Sequence, residues 1–321
     1  MNETAKKEIG GYIELDTYRM PMLHSEAISL NCGRNALAYI LRAKRITKLC
    51  VPFFICDSVP EACKREGVEV SHYHIGYDFK PIDVSISDDE WLYIVNYYGQ
   101  LSNEELLTLK NKYKRVIVDQ AQSYFQMPPD NTDTLYSCRK YFGVSDGAFL
   151  YTDVALDEEI PQDESFDRMT FLLGRYERAA SEFLEEYRKN NRFFRDEPIK
   201  TMSKLTNNLL HGIDYEYIEH RRKQNFSYLD DALRDINLLN IQRTGTFMYP
   251  FMVEDGEKVR EKLRNRQIYI PVLWPEVVER MEQGKPEYQL SSNLLPLPCD
   301  QRYGEKEMMR IVREINECLR N

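Results

Sequence analysis

Apolar positions along the chain fall into two kinds of pattern. In NALAYILRAKRIT (35–47), apolar side chains at 37, 40 and 41 with bases following predict a helix. LCVPFFI (49–55) is short, apolar and punctuated by Pro52, which predicts a buried strand running into a loop. SVPEACKREGVEV (58–70) predicts a helix stopped by Gly67 and a strand beginning at Val68. WLYIVNYY (91–98) and RVIVDQA (115–121) are continuous apolar runs of strand length, and NEELLTLKNKYK between them predicts a helix capped by Ser102 or Asn103. GAFLYTD (147–153) adds one more strand. Strand–helix–strand units of this length predict an α/β fold: a mostly parallel sheet with helices on both faces.

After about residue 160 the pattern changes. Residues 164–235 are charged and helical in period, from RYERAASEFLEEYRKNN to DYEYIEHRRKQNFSYLDDALRD. The last stretch has a strand-like FMYPFMV (247–253), a helix over EKVREKLRNR, a strand-like IYIPVLW (268–274) and a closing helix over GEKEMMRIVREINECLR. The expected organisation is a large α/β domain over residues 1–160 with an N-terminal segment, a helical bridge and dimer contact over 161–239, and a small α+β domain over 240–321.

Composition narrows the function classes. A length of 321 residues fits two domains of about 150 each, and 42% hydrophobic against 30% charged residues allows a sizeable core. The net charge of −9, from 43 Lys+Arg against 52 Asp+Glu, argues against binding a polyphosphate, so no nucleic-acid partner is expected. No run approaches the roughly 18 apolar residues of a membrane span, and MNETAKKEIGGYIELD lacks the apolar centre of a signal peptide. Seven cysteines without a CxxC pair suggest buried thiols in a reducing, cytoplasmic setting, with no metal.

Four stretches carry candidate chemistry. Asn31-Cys32-Gly33-Arg34-Asn35-Ala36 precedes a helix, where free backbone N–H groups and the helix dipole suit a phosphate. A helix that merely starts after a glycine is the commoner arrangement. Asp119-Gln120-Ala121-Gln122 ends an apolar strand, the place where open α/β sheets bind ligands; the alternative is an N-cap for the following segment. Ser137-Cys138-Arg139-Lys140, followed by Gly143 and Gly147, places a lysine between sheet and loop. There its amine could be desolvated for nucleophilic use, or simply be solvated. Asn96-Tyr97-Tyr98-Gly99-Gln100 lies at another strand end.

The order and spacing of these stretches resemble a fold type I pyridoxal-phosphate enzyme, and more narrowly the DegT/StrS-type sugar aminotransferases. VPFFICDSVPEACKREGVEV is similar to the family's strand, proline, loop and helix, VNYYGQ to its V-H-x-Y-G segment, and LPLPCDQRYGEKEMMRIVREI to its ending. The match covers about residues 25–155 well and 200–320 more loosely. It implies pyridoxal 5'-phosphate as cofactor, held covalently by Lys140, which also shuttles the proton, with Asp119 keeping the ring nitrogen protonated. It also implies Gln122 at the ring oxygen, and Ser137, Gly33 and the amides of Arg34 and Asn35 at the phosphate.

This sequence departs from the family at several positions. Leu135 stands where the family has a serine five residues before the lysine, Cys56 where an aromatic ring stacks on the cofactor, and G-R-N where G-T-x is usual. The family's asparagine-rich segment from the neighbouring subunit has its nearest counterpart in TMSKLTNN (201–208), with Asn207 and Asn208 the available donors. The resemblance implies a homodimeric aminotransferase with a ping-pong cycle, moving an amino group from glutamate to a keto sugar linked to a nucleotide. The alternatives are another reaction on the same cofactor, or a non-catalytic relative acting as sensor or scaffold. The sugar dehydratases of the family carry histidine in place of the lysine, and Lys140 counts against that branch.

Overall fold

The computed structural model describes residues 9–320. β1 (Ile28–Leu30) leads into α1 (Gly33–Ala43), β2 (Lys48–Pro52), α2 (Ser58–Arg65) and β3 (Glu69–Ile75). A two-residue β4 (Pro81–Ile82) is followed by β5 (Trp91–Val95), α3 (Asn103–Tyr113), β6 (Val116–Asp119), β7 (Asp133–Ser137) and β8 (Ala148–Tyr151). These strands form one sheet in the order β1-β8-β7-β6-β5-β2-β3-β4. The five central strands β3, β2, β5, β6 and β7 run parallel, and β8 lies antiparallel between β7 and β1. The parallel core explains the unbroken apolar runs: Leu92 through Val95 and Val116 through Val118 are all buried, so no polar alternation is needed. α1 packs on β7 and β8, α2 on β3 and α3 on β6.

The helical stretch comprises α4 (Thr170–Glu177), α5 (Leu184–Phe193), α6 (Lys204–Leu210) and α7 (Tyr215–Leu233). The chain closes with β9 (Met248–Met252), α8 (Gly256–Asn265), α9 (Glu276–Arg280), α10 (Pro286–Asn293), β10 (Leu294–Pro298) and α11 (Glu305–Arg320). β9 and β10 pair antiparallel, with Pro250 opposite Pro296. Neither proline has an N–H, so the register holds because that pair exchanges no ladder bonds. α11 lays Met308, Ile311, Ile315 and Cys318, one helical face, toward α7 and α8.

Three expectations need correcting. IYIPVLW (268–274) forms no strand: Ile268 and Ile270 are buried, but the ladder position beside β9 is filled by LLPLP, and Trp274 turns the chain with φ +56°. The run 91–98 stops being a strand at Val95, and Tyr97–Gly99 forms a 3-10 turn in which Tyr98 has φ +55°. Residues 133–137, where the residue pattern predicted no strand, form β7. Among the described residues, no helix is long and apolar enough to cross a membrane.

Candidate active site at the carboxyl edge of the sheet

Parallel strands end together, so side chains just beyond their carboxyl ends converge without any sequence proximity. Asp119 is the last residue of β6 and is half-buried. Its Oδ1 accepts from the Ala121 N–H at 2.7 Å and its Oδ2 from the Tyr93 hydroxyl at 2.8 Å. The bond to Ala121 is a local cap, but the bond to Tyr93 crosses from β6 to β5. Gln122 is buried, and its Oε1 accepts from the Tyr98 N–H at 2.9 Å, so the amide NH₂ is left to donate. Gly99 closes this turn with φ +70°, and a Cβ there would lie 2.9 Å from Ser123 Oγ. Asn96 serves the scaffold: its Nδ2 donates to Leu101 O, Gln120 Oε1 and Gln126 Oε1, and its Oδ1 accepts from Leu101 N.

Lys140 ends the 3-10 turn Cys138–Lys140 directly after β7. It is exposed rather than desolvated, its Nζ lies 5.7 Å from the centre of the Phe247 ring, and its amine has no hydrogen bond or ion pair among the described residues. The buried Arg222 gathers the surrounding segments: Nη1 donates to Thr246 O at 2.6 Å, Nη2 to Tyr141 O at 3.1 Å, and Nε to Gln301 Oε1 at 2.7 Å. Its guanidinium also lies 4.5 Å from the Tyr141 ring centre. Arg222 thereby ties the residue after Lys140 to the segment that carries Phe247. Nothing in EHRRKQ distinguishes it from its half-buried neighbour Arg221.

The third wall is the start of α1. No side chain caps it by hydrogen bond, and the first helical bond runs from Ala36 N to Cys32 O. Gly33 faces Ser137 across the end of β7, where a Cβ on Gly33 would lie 4.0 Å from the Ser137 Cβ. Arg34 pairs with Glu61 through Nη2 at 3.1 Å, while its Nε and Nη1 are buried with no partner among the described residues. A guanidinium edge held out of water and left unpaired is costly unless an anion meets it. Asn35 turns its side chain inward: Nδ2 donates to Asn31 Oδ1, Glu197 O and Pro198 O, and Oδ1 accepts from Arg65 Nη2. Cys56 is half-buried with Sγ 2.7 Å from Ser58 Oγ.

The structure thus brings Asp119, Gln122, Ser137, Lys140 and the Gly33–Asn35 turn to one edge. It adds Tyr93 and Arg222, which the residue pattern did not single out. Asn208 is occupied within its own chain, accepting from Tyr18 N and donating to Asp16 O, each at 2.9 Å. Asn207 instead lines an open cavity of about 450 Å³ with Ser29, Thr201 and Lys204. Among the described residues no group of three or more His, Cys, Asp or Glu side chains could hold a metal ion.

No protein-family model matches the chain, and no curated protein matches its sequence. Solved structures do match. A DegT DnrJ EryC1 StrS aminotransferase from Brucella abortus superposes with a TM-score of 0.63 at 15% identity, covering 91% of this chain and 85% of that one. DesV of S. venezuelae, solved in complex with a ketimine intermediate, gives a TM-score of 0.65 at 16% identity over 91% of this chain and 84% of its own. NtdA of Bacillus subtilis, solved with the bound cofactor PMP, gives 0.64 at 13% identity over 95% and 79%. The large mixed sheet with its antiparallel β8, followed by a smaller α+β unit, is the fold shared by these aminotransferases: the fold type I architecture.

Proposed function

We propose that the chain is a pyridoxal-phosphate-dependent aminotransferase that moves an amino group from glutamate to a keto sugar carried on a nucleotide. The observation that carries this reading is the convergence of an unpaired lysine, an anchored carboxylate and an uncapped helix start at one sheet edge. The residues present fit the cofactor. The unpaired Nε and Nη1 of Arg34, the first-turn amides of α1 and the Ser137 hydroxyl suit its phosphate, and this guanidinium offsets the missing threonine hydroxyl of the G-R-N turn. Asp119 suits the ring nitrogen, the free NH₂ of Gln122 suits the ring oxygen, and Lys140 Nζ is unencumbered for covalent attachment.

When bound, the cofactor supplies an electron sink for the bond being broken at the amino donor. Lys140 Nζ would take the proton from the donor's α-carbon and return it one position away, from its place at the end of the turn directly after β7. Asp119, fixed at both oxygens, keeps a negative charge opposite the ring nitrogen. Seven free cysteines support a cytoplasmic setting.

We further propose a homodimer as the working unit. Large apolar side chains stand exposed on the N-terminal segment, with Ile9 at 98% and Ile13 at 94%. Others stand on the helical stretch, with Phe166 at 75% and Tyr176 at 91%. Burying such side chains against a second copy favours association. Asn207, unlike Asn208, keeps its amide free to reach a neighbouring subunit.

The test is spectroscopic. The protein loaded with pyridoxal phosphate is expected to absorb visible light, lose that band on glutamate addition, regain it with a keto acceptor, and sediment as a dimer. A band that glutamate leaves unchanged contradicts the transamination, and a fully active monomer contradicts the dimer.

A further inference from the structure

Tyr93 sits in the middle of β5 and is 1% exposed. Ile117 of β6 is its register partner, so Asp119, two residues on, is its diagonal neighbour on the same face. A tyrosine spans that diagonal, and its hydroxyl meets Asp119 Oδ2 at 2.8 Å. A buried tyrosine usually gives its O–H proton to an acceptor. The two neighbouring buried tyrosines do so to backbone carbonyls: Tyr73 to Tyr93 O at 2.9 Å, and Tyr97 to Phe54 O. Tyr93 alone of the three uses the carboxylate at the site.

Resting on the cofactor reading above, we propose that Tyr93 is a positioning residue, whose hydroxyl fixes the rotation of the Asp119 carboxylate and takes up part of its charge. The Ala121 amide holds one oxygen and Tyr93 the other, so the carboxylate plane is set by two donors, one in the turn after β6 and one on β5. A carboxylate accepts about four hydrogen bonds, which leaves acceptor capacity for the ring N–H. Burial and the negative charge of Asp119 push the Tyr93 phenol well above its ordinary range, so it remains a donor throughout the working pH.

The experiment compares wild type, Tyr93→Phe and Tyr73→Phe, each loaded with pyridoxal phosphate, by following the visible band of the lysine-linked cofactor against pH. Without the Tyr93 donor the carboxylate presents more of its charge to the cofactor, which favours the protonated linkage. The midpoint in Tyr93→Phe is therefore expected to rise by about half a pH unit or more. Tyr73→Phe also loses a buried hydroxyl but does not touch Asp119, and its midpoint is expected to stay at the wild-type value. Site-specific 3-fluorotyrosine at position 93, a stronger donor of nearly the same volume, moves the midpoint down and covers the case in which Tyr93→Phe does not fold. An unmoved midpoint, or an equal shift in Tyr73→Phe, overturns the role of Tyr93 while leaving the cofactor reading intact. A wild-type protein with no visible band overturns both.

Discussion

His24 is buried in a cage of rings, 4.2 Å from the centre of Tyr136 and 4.8 Å from that of Tyr124. The Tyr124 carbonyl can only accept, so Nε2 donates to it at 2.9 Å and the neutral ring's Nδ1 accepts from the Tyr151 hydroxyl at 3.0 Å. Burial therefore holds its pKa down to about 4, against 6.5 for a free histidine. Between those values the unfolded chain binds the proton and the folded one does not. The stability tied to neutral His24 is complete above pH 6.5 and is lost as the pH falls toward 4, by about 3 kcal/mol in all. In His24→Phe, which keeps the ring but cannot titrate, the fall in melting temperature between pH 6.5 and 4 is expected to be shallower than in wild type. Equal slopes would contradict this. Neither His24 nor Tyr93 could be read from composition or period, because each acts through a partner 100 or 26 residues away. Asp119 and Gly33 could be read, because the end of an apolar strand and a glycine turn are local features; Lys140 came from the order and spacing of the motifs, since the strand before it was not legible.

At the scale of elements, the turn that carries Lys140 is clamped from behind. Asp146 is fully buried and accepts from the Ser203 N–H and Ser203 Oγ–H, each at 2.8 Å, and from the Thr206 hydroxyl. One carboxylate thus holds Ser203, the residue that caps α6, and ties the helix to the chain between β7 and β8. Gly147 adjoins it with φ +112°, where a Cβ would lie 3.1 Å from Thr206 Cγ2 and 3.2 Å from Cys138 Cβ. Replacing Asp146 by Asn removes the charge and turns an NH₂ toward groups that donate. The expected cost is about 2–3 kcal/mol in denaturant unfolding, and a loss below about 0.5 kcal/mol would show the clamp to be incidental. Helix signals were legible where caps and periods agree, as at α3, whose Ser102 and Glu105 form the reciprocal capping pair. Strands without an apolar run were not. β1 has three residues, β7 opens on the polar pair Asp133-Thr134, and the prolines of β10 hid a strand whose partner needs no N–H from them. IYIPVLW failed in the opposite sense, because its alternation records packing without a ladder.

For the whole molecule, the apolar runs of β2, β5 and β6 implied a parallel sheet, and a parallel sheet places its ligand site at the carboxyl edge. That inference placed Asp119 at the edge, and the family resemblance joined Lys140 to it. The closing wall was less legible, since Arg222, on a charged helix that looks solvated in one dimension, reaches Tyr141, and Phe247, just before β9, reaches Lys140, only through tertiary folding. The central claim is that Lys140 is the cofactor's attachment point. Loading the protein with pyridoxal phosphate, reducing it with borohydride and mapping the fixed adduct by peptide mass tests that directly. The account predicts a single adduct on the peptide containing Lys140, lost in Lys140→Ala; an adduct on another lysine, or none in the wild-type chain, would contradict it.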